Sequence, residues 1–358
     1  MKTLTLAASG IHIPSLEEVR LAETRDEYPR ESLFFSALNS DRLDERYLLQ
    51  HSASLPRLLR HLPLWIQQVG GAYRQRENYD AVISWAEHLG VPYAALLKAT
   101  GVRHPHVAIF SWISRSKKAV LLKRVHSHID RMILMSSVQR DFAIQNIGMP
   151  ESKIVFLRWR VDEKFWRPME SKPIMICSVG REMRDYGTLI RAIRDLPIPC
   201  HVAAGGQTVG KKDAWMKDVE KAQPLPSHIT FGSENFVDLR AIYARSHFMV
   251  MPLLNTDTDN GATSILEAMA MGKPVICSKT TGQVDLIEDG KTGIYVPPGN
   301  PRAMRNAIEH LWSNPDVARN MGREARAFID RYYSMDGFVT SIRQVVQDVI
   351  EEHRRREA

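Results

Sequence analysis

Two carboxylates and two guanidinium groups carry the chemistry open to this sequence. Asp259 and Glu267 stand eight residues apart in the stretch 255–298. Asp259 lies among Asp257, Asn260 and Gly261, short turn-formers that do not continue a strand. Glu267 lies just inside ILEAMAMG, a run of strong helix formers that Thr263 and Ser264 are placed to cap. A polar loop that delivers free backbone N–H groups to a helix mouth, around Ala262 to Ser264, is an anion site. A carboxylate beside that mouth accepts hydrogen bonds from vicinal hydroxyls. Arg181 and Arg184 follow Gly180 at the end of the apolar run 174–179. An arginine pair in a glycine turn can fork onto the oxygens of a diphosphate. The plainer reading of the same residues is a capped core helix, a solvated acidic loop and surface arginines.

The elements that position these groups alternate between strand and helix. Gly272 and Pro274 stop the helix, and Val275-Ile276-Cys277 follows as a short buried strand. Further strands are expected at 3–8, with Ser9 and Gly10 opening the loop after it, at 81–85, at 107–110 and at 174–179. Helices are expected at 186–193, at 301–331 and at 334–352. The run 54–69 has helical apolar spacing, with Pro63 as a break or kink; its Trp65 and two arginines also suit a bilayer surface. Ligands in open α/β sheets sit beyond the carboxyl ends of strands. Glu87 and His88 occupy such an end, which makes them candidates for the acceptor or catalytic face; a helix-capping acid beside a surface histidine is the alternative.

The totals bound the class. With 358 residues, 44% hydrophobic and 25% charged, the chain has material for two ordinary α/β domains. Its three cysteines, Cys177, Cys200 and Cys277, sit far apart in apolar runs and read as core thiols of a reducing compartment. The apolar stretch near residue 1 is too short for a signal peptide, and no run approaches a membrane span, so a cytoplasmic location is expected. Net charge is +7. Between Glu87 and Asp130 there is no acid, yet Lys98, Arg103, Arg115, Lys117, Lys118, Lys123 and Arg124 all fall there. No aromatic RNA-binding box, helix-turn-helix or zinc-finger spacing accompanies them, so no nucleic-acid partner is expected. Arg115, Lys117, Lys118, Lys123 and Arg124 instead suit an anionic membrane surface, an anionic acceptor or a solvated face. P-loop, dinucleotide, H-E-x-x-H and C-x-x-C motifs are missing, and neither a metal nor a cofactor is expected.

Asp259, Glu267 and the block LEAMAMGKPVI resemble the acidic-x7-acidic signature of family 4 retaining glycosyltransferases of GT-B fold. The following GQVDLIEDGKTGIYVPPGN resembles that family's next segment, and Val161, Asp162, Phe165 and Pro168 match its inter-domain linker. The likeness covers about residues 130–335 closely and the first 130 in outline. It departs at Asp259, where Glu is usual, and at Ala262, where Gly is common. Ser111-Trp112 replaces the family's histidine after a strand, and Arg160 replaces the glycine before Val-Asp.

The resemblance implies two Rossmann-like αβα domains facing across a cleft. They would comprise an acceptor-side domain over 1–167, a hinge at 168–173 and a donor domain over 174–335. A helix at 336–358 would return to the first domain. It also implies transfer of a hexose, with retained configuration and no metal, from a nucleotide diphosphate sugar to an acceptor hydroxyl. A UDP-sugar is favoured over a GDP-sugar; separately from the resemblance, the basic residues Arg115 to Arg124 lean toward a lipid-linked acceptor or cell-envelope glycan and a protein peripheral on the inner face of the membrane. By position, Asp259 grips the donor sugar and Glu267 the ribose. Gly180, Arg181, Arg184, Gly261, Ala262, Thr263 and Ser264 surround the diphosphate, Phe231 and Gly232 lie near the base, and Gly10 faces the phosphates. Arg181, Arg184 and Asp259 would act in catalysis by electrostatics and positioning. A nucleotide-sugar epimerase of the same fold and a non-catalytic nucleotide-sugar-binding module are the alternatives.

Overall fold

The computed structural model describes residues 1–7, 15–44, 61–205 and 214–358. Their contacts form two compact units. One comprises Met1–Leu21, Glu31–Arg158 and Asp336–Ala358, the other Ala22–Arg30 and Trp159–Met335. Each is built on a six-stranded sheet whose strands pair in parallel, with helices as crossovers.

In the first unit the strands are β1 (Thr3–Ala7), β2 (Ser40–Leu43), β3 (Ala81–Trp85), β4 (His106–Phe110), β5 (Arg131–Leu134) and β6 (Ile154–Phe156), in the order β2-β1-β3-β4-β5-β6. The central strands are buried on both faces, which is why Ala81-Val82-Ile83 and Val107-Ala108-Ile109-Phe110 are continuous apolar runs instead of alternating ones. The helix expected over 54–69 is corrected at Pro63. Residues 45–60 lie outside the described residues, and the helix runs from Leu64 to Gln75 with Pro63 at its N-cap, where a missing N–H costs nothing. The long helix Met335–Glu357 buries Phe338, Val339, Ile342, Val346, Val349 and Ile350. His353 Nε2 lies 3.0 Å from Asp130 Oδ2 where the helix meets the sheet, and Arg131 pairs with Glu352.

In the second unit the strands are β7 (Met175–Val179), β8 (Cys200–Ala203), β9 (Ile229–Gly232), β10 (Ser246–Met251), β11 (Val275–Ser278) and β12 (Gly293–Val296). Their order is β12-β11-β10-β7-β8-β9. The chain therefore leaves β7 toward one edge, returns, and leaves β10 toward the other. The crevice between two such strands is where open α/β sheets bind ligands. Local chemistry fixes the helices that follow. Asp185 caps Tyr186–Ile193 by accepting from Thr188 N–H at 3.0 Å, and Asn300 caps Pro301–Ser313 by accepting from Ala303 N–H at 3.0 Å. The helix expected over 301–331 is two, broken at Asn314-Pro315, with the second spanning Pro315–Tyr332.

Residues 22–30 belong to this unit through charge and aromatic contacts. Asp26 pairs with Arg167 at 2.7 Å and Arg240 at 3.0 Å, and Arg30 pairs with the buried Asp162 at 2.7 Å. Tyr28 meets Phe236 edge-on at 4.7 Å. The Asp of the Val-Asp linker is thus a structural anchor for this segment.

Candidate functional site

The carboxyl ends of β7 and β10 bring the arginine turn and the acidic loop together. Three backbone contacts stitch them: Asp185 N–H to Pro252 O at 3.0 Å, Leu254 N–H to Met183 O at 2.9 Å, and the bridge between Arg184 and Leu253. Arg184 is only 5% exposed. Its Nε donates to Val179 O at 2.9 Å and its Nη1 to Glu182 O at 2.6 Å, and no carboxylate among the described residues pairs with it. Burial lowers its pKa, opposed by the nearby Tyr186, but an arginine stays charged in proteins. A buried cation without a counter-ion is costly unless an anion arrives. Gly180 makes room for it, since a Cβ there would stand 2.2 Å from Arg184 Nη2. Arg181 is half-buried and runs past Gly205, where a Cβ would lie 3.2 Å from Arg181 Cδ.

On the β10 side the helix spans Ala262–Ala270. Thr263 and Ser264 do not cap it. The N-cap is Gly261, whose φ of 85° lies in the left-handed region that suits glycine, and no side chain caps the turn. Thr263 and Ser264 are therefore first-turn residues, and their N–H groups have no hydrogen-bond partner among the described residues. Trp159 Nε1 reaches Thr263 Oγ1 at 3.3 Å. The far end closes in a Schellman turn, with Lys273 N–H on Ala268 O at 2.9 Å and Gly272 N–H on Met269 O at 3.0 Å.

Glu267 is 6% exposed, and Tyr243 Oη donates to its Oε2 at 3.0 Å. Burial and the Glu267 carboxylate push the Tyr243 hydroxyl well above its ordinary pKa, so it remains a donor. Asp259 is half-buried. Burial raises its pKa, and the Asp285 carboxylate adds in the same direction. Hydrogen bonds from its own backbone and from Thr258 Oγ1, at 3.2 Å, oppose them.

The loop is held in place by the turn that follows β11. Gly282 N–H donates to Thr256 O at 2.8 Å, and Thr281 donates to Asn255 Oδ1 through its N–H at 2.9 Å. Gln283, fully buried, gives Nε2 to Asn260 O at 2.9 Å, while its Oε1 has no partner. A Cβ on Gly282 would stand 2.2 Å from Thr258 N. The segment that begins at Gly282 was picked out in the sequence, but Gly282 and Gln283 were given no role in the site. Tyr243 was missed altogether, because nothing in a helix sequence shows which carboxylate a tyrosine will meet.

Comparison with known proteins finds likenesses over part of the chain and over the fold. Residues 161–328 match the family described as glycosyl transferases group 1. D-rhamnosyltransferase WbpZ of Pseudomonas aeruginosa is 38% identical over 91 residues, covering 25% of this chain and 24% of that protein. Alpha-D-kanosaminyltransferase of Streptomyces kanamyceticus is 38% identical over 71 residues, covering 20% and 18% respectively. The chain thus spans a quarter or less of the length of these two relatives. Among solved structures, sucrose-phosphate synthase from Thermosynechococcus elongatus superposes with a TM-score of 0.76 at 16% identity, covering 98% of this chain and all of that one. Anabaena HepE in complex with UDP-glucose superposes with a TM-score of 0.73 at 17% identity, over the same 98% and 100%. The fold is the GT-B form of α/β.

The remaining candidates have definite places. In the group 1 segment, Phe231 and Gly232 end β9, where Phe231 stacks parallel to Trp215 with centroids 6.0 Å apart. His201 Nε2 lies 2.7 Å from Glu234 Oε1 beside that end. In the first unit Glu87 opens the helix Glu87–Thr100 and is buried. Its carboxylate accepts from the N–H groups of Ser111 at 2.8 Å and Trp112 at 2.5 Å, and from Lys118 Nζ at 3.1 Å. Burial pushes its pKa up, but those partners outweigh it and the net direction is down. Glu87 therefore fixes the Ser111-Trp112 loop, while His88 is exposed. Gly10 lies outside the described residues. The helix Ser116–Val125 buries Ala119, Leu122 and Val125 and exposes Val120 and Leu121 beside Lys117, Lys123 and Arg124, while Arg115 stacks on Trp112 at 4.2 Å. No helix of the described residues is long and apolar enough to cross a membrane.

Proposed function

We propose that this chain is a retaining glycosyltransferase that moves a hexose from a nucleotide diphosphate sugar, a UDP-sugar before a GDP-sugar, to an acceptor hydroxyl. The observation that carries this reading is the buried Arg184, without a counter-ion among the described residues, stitched beside a helix mouth whose first N–H groups have no partner among them. That pairing suits a diphosphate whose charge grows as it departs. The UDP-glucose bound by the HepE structure supports the donor class. Glu267, held by Tyr243, accepts from the ribose, and Asp259 accepts from the sugar hydroxyls. In the reaction the acceptor oxygen bonds to the anomeric carbon on the face the diphosphate leaves. The bond to the diphosphate breaks with its electron pair on the leaving oxygen, and that phosphate takes the acceptor's proton. No metal enters this scheme. The exposed Val120 and Leu121 among cations support contact with an anionic membrane and hence a lipid-linked acceptor.

Thermal denaturation with UDP-, GDP-, ADP- and dTDP-sugars tests the donor, because a ligand of the folded state raises the midpoint by mass action. The expected result is a rise with a UDP-sugar that is lost in Glu267→Gln and Arg181→Ala. A rise without nucleotide release over a broad acceptor panel favours the binding module, and isomerised free sugar favours the epimerase. No rise with any donor rejects the reading. Co-sedimentation with anionic vesicles that survives Lys117/Lys123/Arg124→Ala rejects the membrane face.

A further inference from the structure

We propose that the first unit carries a second anion site, at the amino-terminal edge of its sheet, that takes a diphosphate or comparable multiply charged phosphate ester. The loops entering β4, β5 and β6 and the last turns of the helix Met335–Glu357 surround a cavity of about 660 Å³. That is the size of a small-molecule pocket and exceeds what one water-filled surface dimple needs. It lies at the opposite end of the strands from Glu87 and the Ser111-Trp112 loop.

The lining is one-signed. Arg103 enters from the loop before β4, His126 from the loop before β5, Lys153 from the turn before β6, and His353 and Arg356 from the helix end. None of the described lining residues is acidic. Among the described carboxylates beside these residues, Asp130 is buried, with its Oδ2 3.0 Å from His353 Nε2 and accepting from His106 N–H at 3.0 Å. Glu352 lies 3.6 Å from Arg356, a loose pair at the exposed helix end. Arg103 spends one N–H on Ser127 O at 2.6 Å and Lys153 one on Ile129 O at 3.0 Å. A guanidinium has five donors and an ammonium three, so most remain. His126 Nδ1 is buried with no partner.

Gathering three cations and two imidazoles around a cavity without an acid in its wall is unfavourable by itself. Burial, followed among the repulsive charges by Arg103, Arg356 and Arg131, holds Lys153 below the usual lysine range, with Asp130 opposing. A bound anion relieves that repulsion and supplies the missing acceptors. Two or more negative charges match three cations better than one does, and phosphate oxygens accept from Arg and Lys in the geometry available. The source of the phosphate is a soluble metabolite or a lipid headgroup.

The test uses the full chain with ¹³Cε1-labelled histidine, titrated with sodium pyrophosphate and followed by NMR. His126 and His353 are assigned through His126→Gln and His353→Gln. Both signals should move saturably, and the apparent Kd should rise about tenfold or more in Arg103→Ala/Lys153→Ala, given the strength of hydrogen bonds to charged groups. Arg356→Ala, an exposed change at the helix end, should weaken binding severalfold and serves if the double variant does not fold. The shifts should persist in Arg181→Ala, which separates this site from the donor loops. Co-sedimentation with phosphatidic-acid vesicles, lost in Arg356→Ala and displaced by pyrophosphate, marks a lipid source; pyrophosphate binding without co-sedimentation marks a soluble one. Signals that stay still with pyrophosphate, or shifts of unchanged affinity in both cavity variants, overturn the proposal.

Discussion

Replacing Gly282 by alanine isolates what holds the acidic loop. The backbone at 282 is not in the left-handed region, so an L-residue adopts it without strain and only the added methyl matters. That methyl would stand 2.2 Å from Thr258 N and 2.4 Å from the carbonyl carbon of Asp257, both backbone atoms. Ordinary contact of about 3.4 Å requires one of the two turns to retreat by roughly 1.2 Å, at an overpacking cost of about 1–3 kcal/mol. The segment that retreats carries Asp259 at its next residue and Gln283 and Thr281 as its hydrogen-bond partners. A displacement of this size in a positioning group lowers turnover on the order of 100-fold. The assay is nucleotide release from the donor sugar, as kcat/KM, together with the affinity for the nucleotide diphosphate alone. Turnover should fall about 100-fold while the nucleotide, which the proposed function places on Arg181, Arg184, Glu267 and the helix mouth, loses only severalfold. Val284→Ala, a neighbouring exposed change, should leave both alone. Gly282→Ala with kcat/KM within a factor of about two of the parent would refute the assignment of loop position to this packing.

Three further outcomes are expected. Tyr243→Phe removes the donor to Glu267 Oε2 and leaves a buried carboxylate short of one hydrogen bond, so the donor Kd measured by calorimetry should rise about tenfold, for a loss of about 1–3 kcal/mol. Glu87→Ala strands two N–H groups and Lys118, and urea denaturation should show a loss of about 2–3 kcal/mol; a collapse of turnover at unchanged stability would instead mark Glu87 as chemical. Asp26 is held down to about 2 by the hydrogen bond from Arg167, with burial opposing and Arg240 assisting. A depressed carboxylate contributes its full stability above its unfolded pKa of about 4, and loses it as pH falls through the folded value. The side chain is 45% exposed, so screening reduces the contribution to about 1 kcal/mol. Urea midpoints of the parent should therefore fall more between pH 4 and pH 2 than those of Asp26→Asn.

Much of the second sheet was legible because its signals are local. Glycine and proline punctuate the strand ends, and the helix Tyr186–Ile193 falls on its expected bounds with its own Asp185 cap. The types and spacing of Arg181 and Arg184 pointed to a diphosphate, and those of Asp259 and Glu267 to hydroxyl groups, before any fold was in view. What stayed hidden depends on partners distant in sequence. Thr263 and Ser264 look like caps by type, yet the turn is taken by Gly261, because only the approach from Asp259 decides which residue enters the helix. The burial of Arg184 does not show until β7 and β10 are known to be neighbours. The role of Asp26 and Arg30 has no signal near residue 30, since their partners are Arg167, Arg240 and Asp162. The basic wall around Lys153 was likewise invisible, as it gathers three loops and a helix end.

The assignment of residues 22–30 to one unit and 336–358 to the other has a consequence for biosynthesis. As the chain emerges from the ribosome, the second unit has all its parts once residue 335 is out, for its early segment is already waiting. The first unit, although its strands are made first, lacks the helix whose Phe338, Ile342 and Val346 are buried in it until translation reaches the last of these residues. The order of completion is therefore the reverse of the order of synthesis. A nascent chain stalled near residue 335 leaves bare the apolar surface on which chaperones act, and that surface belongs to the older half of the polypeptide.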